Sequence, residues 1–184
     1  MHIRRADERD LTAITNILNW AIAHSTAHFG LTPTTLEQVR ADWQAQHDRY
    51  PWLVAEINGA FAGFAKGGPF RPREAYAWTV ELTVYVLPAH HGKGLGLALY
   101  EHLIDLLRRQ GFALAVALVA APNAASEGLH RRIGLRELGR MPRSGFKCGQ
   151  WLDVITFGTE LNTLGNPPQP TRSVSEVLEL TSQP

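Results

Sequence analysis

One segment, residues 84–97, constrains the architecture of this chain more than any other part of its sequence. An apolar, β-branched run leads into the alternating glycines Gly92, Gly94 and Gly96, and residues 97–109 then follow a helical pattern. A glycine turn between a strand and a helix can hold a phosphate, because backbone N–H groups and the positive end of the helix dipole face it. The segment therefore predicts a strand, a phosphate-binding turn and a helix, with a glycine-rich turn that binds nothing as the alternative.

The spacing of these glycines excludes two common nucleotide-binding motifs. A dinucleotide fingerprint requires G-x-G-x-x-G, and a P-loop requires G-x-x-x-x-G-K-[ST]. Here the glycines alternate, and no serine or threonine follows Lys93 where a magnesium ligand would lie. The ligand of this turn must therefore be inferred from the residues around it.

Composition and charge narrow the class of protein. The 184 residues are enough for one domain with a sizeable core, and a net charge of +1 gives no strong attraction to nucleic acid or to membranes. The single cysteine, Cys148, rules out an intrachain disulfide, and the first residues lack the apolar segment of a signal peptide. No apolar run is long enough to span a bilayer. We expect a cytoplasmic protein without a metal site.

The remaining patterns predict a mixed α/β fold, in which helices flank a central twisted mixed sheet. The expected elements, in chain order, are a strand over residues 2–5, a helix with apolar positions Leu11, Ile14, Leu18 and Ile22, a loop over 25–33, a helix opened by the capping-box pattern Thr34-Thr35-Leu36-Glu37, strands over 52–57 and 61–64 around an Asn58-Gly59 turn, a long strand over 76–86, the glycine turn and its helix, a central strand over 112–120, a short helix over 123–133, and strands over 135–139 and 151–161.

The last residues differ in composition from this domain. Residues 162–170 are rich in proline, glycine and asparagine, as in a linker, and Ser173-Val174-Ser175-Glu176 has a capping-box pattern. We therefore divide the chain into a domain over residues 1–161 and a tail over residues 162–184. The tail is either solvated or carries one short helix.

A carboxylate lies inside the apolar strand that precedes the glycine turn. Alternation places Glu81, Thr83 and Tyr85 on one face of that strand. Partial burial would raise the pKa of a glutamate above about 4.3 and make it a better base near neutral pH. Glu81 is therefore a candidate general base, with a solvated surface glutamate as the alternative.

The glycine turn resembles the acetyl-CoA pyrophosphate loop of the GCN5-related N-acetyltransferases (GNAT), whose pattern is Q/R-x-x-G-x-G/A. The matching residues are His91, Gly92, Lys93, Gly94, Leu95 and Gly96, with histidine where the family usually has glutamine or arginine. The order of elements over residues 1–161 also resembles this fold. The resemblance implies acetyl-CoA as co-substrate, bound by the backbone of Val84, Tyr85 and Val86 and by the loop through Leu97.

A second motif of that superfamily, N-x-x-A/S followed by L-Y-x-x-x-G-F, resembles residues 123–135. The resemblance implies that Asn123 and Ser126 contact the pantetheine arm of the cofactor. His130 occupies the position of the tyrosine that protonates the CoA thiolate, and histidine can transfer protons near neutral pH. The alternative is a histidine that only packs on the helix.

Three further segments resemble the phosphinothricin and methionine sulfoximine/sulfone acetyltransferases. These segments are Glu81-Leu82-Thr83-Val84-Tyr85-Val86, residues 68–76, and residues 146–153 with Lys147, Gly149, Trp151 and Asp153. The resemblance implies a substrate with a carboxylate and a tetrahedral phosphinate, sulfoximine or sulfone. Arg71 and Arg73, with Tyr76 beside them, are candidates to bind these groups, because arginine meets oxyanions with two hydrogen bonds. The alternative is two solvated loop arginines. Phe29 would supply an apolar wall, and Thr32 replaces an acid that relatives often carry.

The resemblance implies direct transfer of an acetyl group to the α-amine of a small amino-acid-like substrate, with Glu81 as base and His130 as a second proton-transfer group. It also implies a homodimer. Two other functions stay open: acetylation of protein N-termini or other amines, and acyl-CoA binding without catalysis. Cys148 is interpreted as an ordinary loop thiol, because direct transfer needs no covalent intermediate.

Overall fold

A seven-stranded mixed sheet forms the centre of the protein, as the sequence predicts. The structure, a computed structural model, describes residues 1–181. The sheet order is β1-β2-β3-β4-β5-β7-β6, and only the β4–β5 pair is parallel. The strands and helices are β1 (His2–Arg5), α1 (Leu11–His24), α2 (Leu36–Gln46), β2 (Trp52–Ile57), β3 (Ala60–Pro69), β4 (Thr79–Val86), α3 (Leu95–Gln110), β5 (Leu114–Ala121), α4 (Ala124–Arg132), β6 (Arg136–Lys147), β7 (Gln150–Glu160) and α5 (Val174–Thr181).

The sheet separates two apolar clusters, one on each face. Alternate residues of β2 supply both, with Leu53 in the larger cluster and Val54 in the smaller one. The larger cluster holds the buried face of α3, including Leu99 and Leu103, and the smaller one holds the buried face of α1. Each helix thus buries its apolar stripe on the sheet, which fixes the strands between them.

The pairing of β4 with β5 stops after three residues, and the two strands then separate. The register runs from Thr79 with Leu114 to Glu81 with Val116 and goes no further. Beyond this point β4 stays paired with β3 as far as Val86, and β5 stays paired with β7 as far as Ala121. A wedge therefore opens inside the sheet. Backbone groups along its two edges have no strand partner there, and a ligand could form hydrogen bonds with them instead.

The second half of the sheet differs most from the sequence expectation. The strand predicted to end at Gly139 continues as β6 to Lys147, through two register shifts on β7. Pro142 and Gly145 within it are residues that usually interrupt a strand, and the bulges accommodate them. The turn into β7 has positive φ at both Cys148 and Gly149, as tight hairpins require.

Three smaller expectations also need correction. The cap of α2 is Thr35, whose hydroxyl accepts the backbone N–H of Gln38, one residue later than the predicted box. The strand predicted to end at Phe64 continues as β3 to Pro69. Tyr76 lies in a 3₁₀ turn, Glu74–Tyr76, before β4 begins at Thr79.

Residues 172–181 pack on the sheet domain. A helix follows Ser173, whose hydroxyl and backbone N–H form the capping box with Glu176. Val174 and Val177 are buried, and the Gln110 side chain at the end of α3 donates to the carbonyl of Arg172. The helix is therefore docked through apolar burial. No helix within residues 1–181 is long and apolar enough to cross a membrane.

Candidate active site

A cavity of about 850 Å³ extends from the β4–β5 wedge to the loop between α1 and α2. Its walls come from β4 on one side, from β5 and α4 on the other, and from residues 27–34. Glu81, Tyr85, Asn123, Ser126, His130 and Phe29 all line it. The fold therefore brings together residues that are up to about a hundred positions apart in the sequence.

Glu81 faces this cavity at the last paired position of the wedge. Its neighbours across the sheet are Gly68 on β3 and Val116 on β5, so neither strand places a large polar group beside it. Burial raises the pKa of the carboxyl above its ordinary value, although the charges of Arg71 and Lys66 oppose this. Within residues 1–181 no hydrogen bond or ion pair engages the carboxylate, which can therefore accept a proton from the cavity.

His130 is held in one orientation at the opposite wall. Its Nδ1 lies 2.6 Å from the Ser126 carbonyl oxygen, which only accepts hydrogen bonds, so Nδ1 carries the proton. The ring is 3% exposed, and burial lowers the pKa of His130 below its usual value. Neutral His130 thus offers a bare Nε2, and the Tyr100 hydroxyl 3.3 Å away donates to it.

Two aromatic rings fix the position of the His130 imidazole. The ring of Phe157 stacks on it with centroids 5.4 Å apart, and the ring of Tyr100 meets it edge-on at the same distance. Tyr100 is 1% exposed and also lines the cavity. A proton-transfer role for His130 therefore depends on residues of α3 and β7 that the sequence analysis did not select.

The glycine loop has the backbone conformation that an anion site needs. Gly92 and Gly94 have φ of 73° and 78°, and α3 starts directly after them at Leu95. The N-cap, Gly94, provides no side-chain hydrogen bond, so the first N–H groups of α3 stay available to a ligand. These free N–H groups and the unpaired edge of β4 fit the pyrophosphate and pantetheine of acetyl-CoA.

Side chains of the loop support its shape. His91 Nε2 lies 2.8 Å from the Val86 carbonyl oxygen, and Lys93 Nζ donates to the Ala89 carbonyl at 2.9 Å. A Cβ on Gly96 would come within 3.2 Å of the Leu129 side chain, so this glycine lets α3 approach α4 closely. Asn123 caps α4 by accepting the Ser126 N–H at 3.1 Å.

Substitution of Gly94 by alanine should weaken cofactor binding. An L-residue at this positive φ costs about 1–2 kcal/mol, so we expect the KM for acetyl-CoA to rise about tenfold with little change in kcat. Initial rates at varied acetyl-CoA measure this. The matched control is Gly128→Ala in α4, where the added Cβ meets nothing within 4 Å and φ is ordinary. Equal KM values for both variants would contradict the loop assignment.

The residues selected for substrate binding do not all reach the cavity. Phe29 lines it, and its ring occupies the space that a Cβ on Gly145 would fill. Arg71, Arg73 and Tyr76 are exposed in the loop between β3 and β4 and are not part of the cavity wall. Of these three, only Arg71 has a resolved electrostatic effect on Glu81. Their roles stay predictions.

Other residues of the cavity wall were missed because tertiary contacts alone place them there. Lys66 donates to Asp42 at 2.8 Å and lies 4.1 Å from the centroid of the Trp52 ring. His28 lies beside Tyr85, with ring centroids 6.1 Å apart. His28 lies in the predicted loop over residues 25–33, next to Phe29, which was the available signal.

Comparison with known proteins finds acetyltransferases. The model of the acetyltransferase (GNAT) family matches residues 15–135. The phosphinothricin N-acetyltransferase of Streptomyces viridochromogenes is 41% identical over 177 residues, which cover 96% of each chain. The L-methionine sulfoximine/L-methionine sulfone acetyltransferase of Salmonella typhimurium is 40% identical, and the match covers 91% of this chain and 98% of that protein.

A solved structure extends the agreement to three dimensions. The acetyltransferase YncA of Salmonella typhimurium, solved with its cofactor acetyl-CoA, superposes with a TM-score of 0.87. It is 40% identical, and the superposition covers 90% of this chain and 96% of YncA. The resemblance of the chain to this family, and to its phosphinothricin and methionine sulfoximine/sulfone acetyltransferases, is thereby confirmed. The chain belongs to the GNAT family of N-acetyltransferases.

Proposed function

We propose that the protein transfers the acetyl group of acetyl-CoA directly to the α-amine of a small amino-acid-like substrate of the phosphinothricin, methionine sulfoximine or methionine sulfone type. The observation that carries this proposal is the position of Glu81, a half-buried carboxylate facing a cavity at the point where β4 and β5 separate. A transferase of this kind needs a base beside the place where its cofactor enters the sheet.

The cofactor would lie along the wedge. The backbone of Val84, Tyr85 and Val86, the loop over residues 91–97, and the side chains of Asn123 and Ser126 would hold it. Bound acetyl-CoA supplies an acetyl group activated as a thioester. The backbone N–H groups of β4 near Val84 and Val86 would hold the pantetheine and polarise the thioester carbonyl, and those at the α3 N-terminus would bind the pyrophosphate.

Two side chains would move protons. Glu81 would take the proton of the attacking amine through one bridging water. It is suited to this role because burial raises its pKa towards neutral pH, above that of a solvated glutamate. His130 would act opposite to it as the second proton-transfer group. Its fixed ring and its neutral state leave Nε2 able to accept a proton from the site, relayed through the Tyr100 hydroxyl, which takes up one proton as it passes its own to Nε2.

The substrate would lie beneath the α1–α2 loop. Phe29 would provide the apolar wall, and Arg71, Arg73 and Tyr76 would approach the oxygens of the substrate from the β3–β4 loop. The effect of Arg71 on the pKa of Glu81 supports its part in this assignment. We also infer a homodimer and a cytoplasmic location, which light scattering and cell fractionation would test.

A thiol-release assay tests the function. The purified protein is given acetyl-CoA and, separately, phosphinothricin, methionine sulfoximine, methionine sulfone, or a peptide with a free N-terminus. We expect turnover of the three amino acids and much lower kcat/KM for the peptide, because the Phe29 loop closes one end of the cavity. Acetyl-CoA binding without turnover of any amine would refute the enzyme proposal, and preferred turnover of the peptide would refute the substrate class.

A further inference from the structure

Lys147 places a positive charge inside the protein without a neutralising carboxylate. The side chain, at the end of β6, belongs to a residue that is 7% exposed. Among the ion pairs formed by residues 1–181, none includes Lys147. A buried ammonium without a counter-ion is costly, so an anion that arrives with a ligand would stabilise it.

The ammonium of Lys147 is directed at the loop that covers the cavity. Its Nζ donates to the carbonyl oxygen of His28 at 2.5 Å, a contact between residues 119 positions apart. The next residue of the loop, Phe29, lies against Gly145 of the same hairpin. The β6–β7 hairpin therefore holds this loop in place. The Lys147 ammonium lies at the His28 backbone carbonyl, and His28 itself lines the cavity.

The hydrogen bonds of His28 determine which of its ring nitrogens is a donor. Nδ1 accepts the backbone N–H of Gly30 at 2.8 Å, so in the neutral ring Nε2 carries the proton. Burial, together with the charge of Lys147, lowers the pKa of His28 and keeps the ring neutral. Within the described chain Nε2–H has no hydrogen-bond partner, and the side chain lines the cavity beside Tyr85.

We propose that His28 and Lys147 form the subsite for the α-carboxylate of the substrate, in which His28 Nε2–H donates to a carboxylate oxygen and Lys147 supplies the charge behind it. The carboxylate is the anion common to phosphinothricin, methionine sulfoximine and methionine sulfone, since the last two have uncharged side chains. Lys66, which lines the cavity, is already paired with Asp42. This subsite deepens the proposed function and depends on it for the identity of the substrate.

The test compares two amines that differ only in the carboxylate: methionine sulfone and 3-(methylsulfonyl)propan-1-amine. A hydrogen bond to a charged group is worth about 10- to 100-fold, so the wild-type protein should prefer methionine sulfone by roughly that factor in kcat/KM. His28→Phe and Lys147→Met should each remove most of this preference by slowing methionine sulfone alone. The double variant should lose little more than either single variant, because Lys147 acts through His28.

Two controls separate the subsite from general damage to the loop. His28→Gln retains an N–H donor and should keep more of the preference than His28→Phe. Lys66→Met removes the cation that is already paired and should leave the preference unchanged. Equal losses on both amines in the His28 and Lys147 variants, or loss of the preference in Lys66→Met instead, would overturn the proposal.

A binding measurement distinguishes failure of the subsite from failure of the proposed function. Calorimetric titration of the CoA-saturated protein with each amine should give the same preference and the same loss in Lys147→Met. If no amine is acetylated but methionine sulfone still binds more tightly than its decarboxylated counterpart, the proposed activity is wrong and the subsite stands. If both amines bind equally to the wild-type protein, the subsite is wrong.

Discussion

Glu81→Gln is expected to lower kcat by about 10²- to 10⁴-fold, the usual contribution of a general base. Glutamine keeps the size and the hydrogen-bonding shape of the side chain but cannot take a proton from the amine. Acetyl-CoA affinity should change little, because the cofactor is assigned to the strand edge, the glycine loop and α4. Steady-state kinetics with varied acetyl-CoA at a saturating concentration of the amine measure both quantities.

The pH dependence gives an independent check on the same residue. A base works only when deprotonated, and burial raises the pKa of Glu81 above its ordinary value. The rate of the wild-type protein should therefore fall as the pH decreases through that raised pKa, and this limb should be absent in Glu81→Gln. The control is Glu101→Gln, on the exposed face of α3, which should keep the wild-type rate and profile. An unchanged rate in Glu81→Gln at every pH would exclude Glu81 as the base.

Phe157→Ala is expected to produce the largest loss of stability. Phe157 is fully buried in the larger apolar cluster, and removal of a buried phenylalanine ring costs about 3–5 kcal/mol. For a domain of this size the melting temperature should fall by about 6–20 °C. Thermal unfolding followed by circular dichroism measures the shift.

The same substitution should also affect the active site below the melting temperature. Phe157 supports one face of the His130 ring, so its loss frees a ring that the proposed mechanism requires in one orientation. Phe146→Ala serves as control, because Phe146 is 54% exposed and should cost less than about 1 kcal/mol. A Phe157→Ala protein that melts like the wild type would show that this cluster does not support the sheet as described.

The parts of the fold that sequence patterns predicted are those governed by local chemistry. The helical spacing of the apolar residues in α1, the glycines before α3 and the apolar run of β5 each determine an element without help from distant residues. The strand β6 was underestimated because Pro142 and Gly145 usually end a strand, and only pairing with β7 carries the chain through them. The wedge between β4 and β5 leaves no local signal, since both strands look regular in the sequence.

The candidate site likewise contains residues that the local sequence indicates and residues that only distant contacts place there. Glu81 and His130 stand out because a charged residue in an apolar strand and a histidine in a motif are unusual locally. Lys147 appears in a motif and His28 in a predicted loop, but the sequence indicates no role for either, because their role depends on a contact across 119 positions. Arg71, Arg73 and Tyr76 were selected from a motif, and the structure places them at the exposed loop beside the cavity.

The most direct test of the central claim follows the acetyl group through a single turnover. The protein is mixed with acetyl-labelled acetyl-CoA and methionine sulfone, quenched, and analysed by mass spectrometry for label on the substrate and on the protein. Direct transfer predicts one label on the α-amine of the product, an equal amount of free CoA, and no label on the exposed thiol of Cys148. A labelled Cys148 that passes its acetyl group to the amine, or no label on the amine at all, would contradict the account.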